Sequence, residues 1–294
     1  MDTLTAPTNT RALATHSAQR DLTYRLIWAG VLLACGWGGS WVWSYAEEQA
    51  SGPAAGTSLE GPARDAEPLG NRIRLGLYNI HGGRGTDGRR DLARTASLLR
   101  EAHLDFIGLN EVHGGAGGNQ ASEIAMQLQM GCLFAATEKQ WQRDHFGSAA
   151  LCRRKVDFWQ RIPLPRVSGS GYRNVTLYRL PAEASELKVL VTHLDRVHDR
   201  ARQLGIVLDL FRSLEPPVVL MGDLNTNRDD PQLRQWLADP EIVDCIGQTG
   251  AGKSLLEAGR IDWILGRGVR RVDAGLSEIG PSDHPCAWSE IEWR

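Results

Sequence analysis

The sequence predicts an α/β fold in which sheet layers lie beneath outer helices, and three observations carry the prediction. From residue 71 onward, strand-like and helix-like stretches alternate. Within PVVLMGDLNTN (217–227), Val218, Val219, Leu220 and Met221 read as a strand apolar on both faces, the pattern of a central strand covered by other layers. Strand after strand then closes on Asn, Asp, Glu or His. Asp223 and Asn225 are two residues apart, so on an extended chain both side chains point to one side, as two groups sharing a ligand would. A plain strand-end turn explains the same pair, because Asp and Asn are favoured there.

The N-terminus is organised differently. Residues 1–25 are a tail, and 26–46 are 21 residues without a formal charge, LIWAGVLLACGWGGSWVWSYA. As a helix this segment reaches roughly 32 Å, enough for a hydrocarbon core of about 30 Å. Trp28 lies near one end and Trp41 and Trp43 near the other, as in an interfacial aromatic belt. Arg11, Arg20 and Arg25 ahead of Glu47 and Glu48 favour an inside N-terminus. A retained transmembrane anchor is therefore expected, with the later chain outside the cytoplasm. The alternatives are a signal segment cleaved near Ser44-Tyr45-Ala46, which gives a secreted protein, and a buried helix. Residues 47–70, rich in Gly, Pro, Ala and Ser, are expected to be a flexible linker to a folded domain over 71–294.

In that domain RIRLGLYNI (72–80) reads as a strand and LDFIGLNEV (104–112) as another. Between them GRRDLARTASLLREAH (88–103) is an amphipathic helix with Leu92, Thr95, Leu98 and Leu99 on one face. The middle, from CLFAATEKQWQRDHFGSAALCRR (132–154) through RNVTLYRL (173–180), reads as shorter strands with turns. LKVLVTHLD (187–195), PPVVLMGDLN (216–225), GRIDWILG (259–266) and CAWSEIEW (286–293) are strands, and DRARQLGIVLDLFRSL (199–214) and PQLRQWLAD (231–239) are helices. HGGAGGNQ (113–120) is expected to be a mobile loop.

Charge and cysteine usage narrow the function classes. Residues 1–70 hold four Arg and seven acidic residues, which leaves 29 basic against 28 acidic residues from 71 onward. A near-neutral domain argues against strong non-specific nucleic-acid binding, which rests on neutralising phosphates. The five cysteines, at 35, 132, 152, 245 and 286, include no C-x-x-C pair and no His at zinc-ligand spacing, which argues against a zinc site. Isolated buried thiols are expected, with disulfides the alternative outside the cytoplasm.

The polar residues fall where layered sheets collect ligands. Asn79 closes the first strand, Glu111 the second, His193 and Asp195 the LVTH strand, and Asp223 and Asn225 the VVLM strand; Asp262 lies in RIDWIL, and Asp283 and His284 precede the last strand. The ordered set YNIHGG, FIGLNEV, VLVTHLD, VVLMGDLN, GRIDWIL and SDHPCAW resembles the endonuclease/exonuclease/phosphatase superfamily across residues 72–294. That resemblance implies a four-layered α/β sandwich of two packed mixed sheets with outer helices, here preceded by the N-terminal transmembrane-type helix. It implies Asn79, Glu111 and Asp283 about a divalent cation, Mg²⁺ or Mn²⁺, which suits hard oxygen ligands. It implies Asp223 as the group that orients or deprotonates water, and Asn225 as a holder of the phosphoryl oxygen. His193 and His284 would stabilise charge, with Asp262 orienting His284. Arg173 falls where the family has an arginine, and Arg84, with Arg89 and Arg90, could grip a phosphate or simply be solvated. The tyrosine that abasic-site enzymes place near the phosphate has no counterpart.

GQTGAGKS (247–254) matches the nucleotide-binding pattern G-x-x-x-x-G-K-[ST]. Its context fails, because LLEAG breaks the helix that must follow, so a surface turn is expected. The functional expectation is a divalent-metal-dependent phosphoester hydrolase at a membrane surface, acting on a lipid head group or small phosphoester through in-line attack of water. A nuclease of the same fold and a catalytically silent phosphate-binding module are the alternatives. No protein partner is inferred.

Overall fold

The computed structural model describes residues 54–56, 69–115, 117–139, 145–154, 156–167, 171–183, 185–247 and 259–294. The expected tail (1–25), the apolar segment (26–46), most of the linker and nearly all of GQTGAGKS lie outside the described residues. Among the described residues, no helix is long and apolar enough to cross a membrane.

In chain order the elements begin with β1 (Ala54–Gly56), β2 (Arg72–Asn79), α1 (Leu92–Glu101), β3 (Phe106–Gly115) and β4 (Gly118–Asn119). There follow α2 (Gln120–Leu128), β5 (Gly131–Lys139), β6 (His145–Cys152), β7 (Phe158–Leu164), β8 (Arg173–Pro181) and β9 (Glu186–His193). The chain continues through α3 (Arg200–Ser213), β10 (Val218–Asp223), α4 (Pro231–Leu237), β11 (Val243–Asp244), β12 (Asp262–Arg267), β13 (Arg270–Leu276) and β14 (Ala287–Glu292). Helices α1 and α4 start where their caps dictate. Asp91 accepts from the Ala93 and Arg94 N–H groups, and Asp230, ahead of Pro231, accepts from Gln232 and Leu233.

Two mixed sheets form, in the orders β1-β7-β8-β9-β10-β12-β11 and β13-β14-β2-β3-β6-β5, with β4 paired to β3. Each is built around one parallel pair, β2 with β3 and β9 with β10, flanked by antiparallel neighbours. A parallel pair needs a crossover, and α1 and α3 supply it. Leu75, Leu77, Phe106, Val189, Val191, Val219, Met221 and Ile264 pack between the sheets, which is why VVLM is apolar on both faces. Leu99, Ile107, Ile124 and Leu128 seal α1 and α2 onto one sheet, and Leu204, Leu208, Phe211, Val218 and Leu233 seal α3 and α4 onto the other. The layers are thus helix, sheet, sheet, helix, as the resemblance implies.

Three elements differ from the sequence reading. Part of the expected mobile loop is ordered: β3 runs to Gly115, β4 pairs back on it, and α2 follows, capped by Asn119 onto the Ser122 N–H at 2.8 Å. The segment is glycine-rich, which hid a strand return and a helix start. β13 carries Arg270, Arg271 and Asp273 on an exposed edge and so lacks an apolar signature. Ala54–Gly56, inside the expected linker, pairs antiparallel with β7. The four described cysteines are buried.

Candidate active site

Strand register brings the polar residues together. In one sheet His193, Asp223 and Asp262 sit side by side in a single row across β9, β10 and β12. In the other Asn79 pairs with Asn110 across β2 and β3. Both parallel pairs end at the same pole, so the two rows face each other.

Glu111 reaches this site through a bulge. Between the Leu109–Ala149 and Val112–Gly147 pairs, Asn110 and Glu111 stand opposite the single residue Ser148. Adjacent strand residues normally point to opposite faces, but Glu111 takes a left-handed φ of 56° and is re-aimed. Asn79 Nδ2 then donates to Glu111 Oε1 and to Asp223 Oδ2, at 3.1 Å each, tying one sheet to the other.

Asp223 has further partners besides Asn79. Its N–H donates to Asn110 Oδ1 at 3.0 Å, and its Oδ1 accepts from the Asn225 N–H at 2.8 Å. His193 Nε2 and His284 Nε2 lie 3.7 and 3.8 Å from its Oδ2. Burial, and then the nearby Asp262 carboxylate, push the Asp223 pKa up from its ordinary value. The group can therefore bind and release a proton near neutrality, as a general base must.

The histidines differ in charge. Burial opposes charge on His284, but a 2.7 Å hydrogen bond from Nδ1 to Asp262 Oδ2 and the charges of Asp262, Asp223 and Asp283 outweigh it and raise the pKa to about 9. Burial, Arg173 and His284 hold His193 well below the ordinary value. In the metal-free protein His284 is therefore predicted to stay protonated from about pH 6.5, where a free imidazole loses its proton, up to about 9, while His193 is neutral. Replacing Asp262 with Asn removes the hydrogen-bonded partner and should bring the His284 titration down by more than one pH unit. Ring-nitrogen NMR reads both; a His284 that titrates as free imidazole does would contradict the assignment.

The remaining expected residues divide. Arg173 is half-buried, 5.6 Å from the Phe146 ring, and its charge acts on His193. Asp283 is about half exposed, with Oδ1 3.4 Å from His81 Nδ1; its segment is fixed to β2 by Ser282 Oγ, which donates to the Asn79 carbonyl at 2.7 Å. Asn225 lies past the strand in the left-handed region, φ 47°, so strand alternation does not place it; its Nδ2 donates to the Leu194 carbonyl at 3.0 Å. The turn explanation of Asp223-Leu224-Asn225 accounts for the contacts of this pair. Asp195 serves its own loop, accepting from the Val197 and His198 N–H groups. Arg84 is exposed and pairs through its backbone with Arg90; its side chain is not joined to the others.

Asn110 is the residue that sequence reasoning passed over. Completely buried, it donates from Nδ2 to Ser148 Oγ (2.9 Å) and the Thr192 carbonyl (3.1 Å) while its Oδ1 receives the Asp223 N–H. An amide inside the apolar run FIGLN, directly before Glu111, was the available signal.

One grouping has the proximity to hold a cation, and a second has suitable donor atoms. Ligand atoms of Asp223, Asp262 and His284 lie within 4.8 Å of one another, but the Asp262 pairing occupies His284 Nδ1. Glu111 and Asp283 offer carboxylate oxygens and Asn79 an amide oxygen, which also accepts the His81 N–H at 3.0 Å and has a lone pair left. An all-oxygen set fits a hard divalent ion. Asp262 Oδ1, buried without a partner, adds to the uncompensated negative charge that a cation would relieve.

The model of the Endonuclease/Exonuclease/phosphatase family matches residues 76–284, a span that contains every residue of the cluster. The chain belongs to this family. Among solved structures, the family member from Beutenbergia cavernae DSM 12333 is similar at 23% identity, TM-score 0.61, over 76% of this chain and 72% of that one. The Bacteroides vulgatus member matches at 15% identity, TM-score 0.62, over 76% and 99%. TDP2 from C. elegans matches at 15% identity, TM-score 0.55, over 78% of both chains. At these identities the likeness establishes the shared family fold. No curated protein matches the chain in sequence.

Proposed function

We propose that this family member is a divalent-metal-dependent phosphoester hydrolase. The supporting observation is the buried Asp223 carboxylate, fixed between neutral His193, charged His284 and the Asn79–Glu111 pair. Asp223 Oδ2 takes a proton from the attacking water as its oxygen bonds to phosphorus and the ester P–O bond breaks, the departing oxygen taking a proton from solvent; the raised pKa makes the first transfer feasible near neutrality. His284, kept as imidazolium by Asp262, presents Nε2–H to the charge that builds on the equatorial oxygens. Asn225, bonded to Asp223, and Arg173, whose charge acts on His193, would position the anion. Glu111 and Asp283, with Asn79, would hold Mg²⁺ or Mn²⁺, which supplies Lewis-acid stabilisation of the phosphoryl group.

The apolar 26–46 segment, its aromatic ends and its flanking charges support placing this hydrolase at a membrane surface with the domain outside the cytoplasm. The reading is tested with the purified full chain and Mg²⁺ or Mn²⁺ on phospholipid vesicles, small phosphodiesters, phosphomonoesters, DNA and RNA. Hydrolysis of one class, abolished by chelator and by His284→Ala, is the expected result. Hydrolysis that survives both would place the chemistry elsewhere.

A further inference from the structure

Residues 165–167, after β7, and 195–199, after β9, are joined beside the Asp223–Asn225 turn, and each carries Arg followed by Val: Arg166-Val167 and Arg196-Val197. Val167 and Val197 are 69% and 67% exposed. A single exposed valine needs no explanation, but these two are held outward by buried groups. The Val167 N–H donates to Asp199 Oδ2 at 3.0 Å, although Asp199 occupies the N-cap position of α3, where an Asp ordinarily caps its own helix. The Val197 N–H donates to Asp195 Oδ1 at 2.8 Å. Buried Gln203 joins the loops, accepting from the Asp195 N–H at 2.8 Å and donating to the Pro165 carbonyl at 3.0 Å.

The arrangement sorts charge. Asp195 and Asp199 are turned inward onto backbone N–H groups, while Arg166, Arg196 and Arg202 are exposed. Arg200 donates to the Arg196 carbonyl at 3.2 Å and the Asn225 carbonyl at 3.0 Å, which fixes the rim to the Asp223–Asn225 turn. The outer face is basic with two aliphatic tips, beside a site built for phosphate.

We propose that this rim docks onto an anionic lipid bilayer, with the valines entering the head-group boundary and the arginines pairing with lipid phosphates. Resting on the hydrolase reading, the proposal makes a phospholipid head group the substrate class. Arginine near an anionic leaflet and apolar side chains at the acyl boundary both favour binding. A single-stranded nucleic acid would match the arginines but would be expected to stack on aromatic rings, and the ring at this rim, Tyr172, has the Arg166 guanidinium 4.4 Å from its centroid.

The test uses the full chain with Cys35→Ser and Val197→Cys carrying an environment-sensitive dye, the other cysteines being buried. Asp273→Cys on β13, the edge of the other sheet, is the labelled control. On vesicles of equal phosphatidylcholine and phosphatidylglycerol, emission at 197 is expected to shift to the blue and at 273 to stay fixed. Adding Val167→Asp and Arg196→Glu should weaken the response by about tenfold or more. An unshifted 197 label on vesicles that carry the protein, an equal shift on phosphatidylcholine alone, or a larger response to DNA than to vesicles would overturn docking. Hydrolysis of a small soluble phosphodiester should be unchanged in the Val167→Asp, Arg196→Glu protein. A wild-type chain that docks but hydrolyses neither this compound nor the vesicle lipid would overturn the substrate assignment and the hydrolase reading, while leaving the dye result intact.

Discussion

Asp223→Asn is expected to lower phosphoester hydrolysis by about a hundred- to ten-thousandfold, the range for losing a positioned general base. The replacement keeps the shape of the side chain and removes its negative charge and its capacity to accept the proton of water. Because burial and Asp262 raise the Asp223 pKa, the wild-type rate should rise with pH as the carboxylate ionises. It should level off, or fall again as His284 loses its proton. The variant should lose the ascending limb. Steady-state rates across pH, beside circular dichroism to show that both proteins are folded, read the effect. A variant with a wild-type rate and pH profile would remove Asp223 from the chemistry.

Asn110→Ala carries the largest expected stability effect. The side chain is buried where the two sheets meet, and its removal strips partners from the Asp223 N–H, the Thr192 carbonyl and Ser148. Each buried group left unpaired costs about 1–3 kcal/mol, so a loss on the order of 3 kcal/mol is expected. Denaturant unfolding should show a lower midpoint with an unchanged slope. Activity should fall as well, because the Asp223 N–H loses its fixed acceptor. A midpoint within error of wild type would mean that water replaces the amide without cost.

Much of this architecture was legible in the sequence because it follows from simple periodicities. VVLM and VLV (189–191) are apolar on both faces since sheets and helices cover them, and the polar residue that ends each run marks the pole where the site forms. Register explains why His193, Asp223 and Asp262, distant in sequence, become neighbours. The missed parts depend on departures from regular geometry. Glu111 reaches Asn79 only through a bulge, and Asn225 turns away at positive φ; neither follows from alternation. Asn110 sits inside an apolar run, and the hydrogen bonds that justify it come from three other strands. Part of the glycine-rich segment after Glu111 proved to be a strand return and helix, since glycine gives no periodicity to read.

The central claim is that water, activated at Asp223, attacks phosphorus. Hydrolysis of a small phosphodiester in ¹⁸O-enriched water with Mg²⁺ or Mn²⁺, run for wild type and Asp223→Asn and followed by mass spectrometry, tests it most directly. The account predicts label in the phosphate-bearing product of the wild-type reaction and very little product from the variant. Label in the released alcohol, or equal labelled product from both proteins, would contradict it.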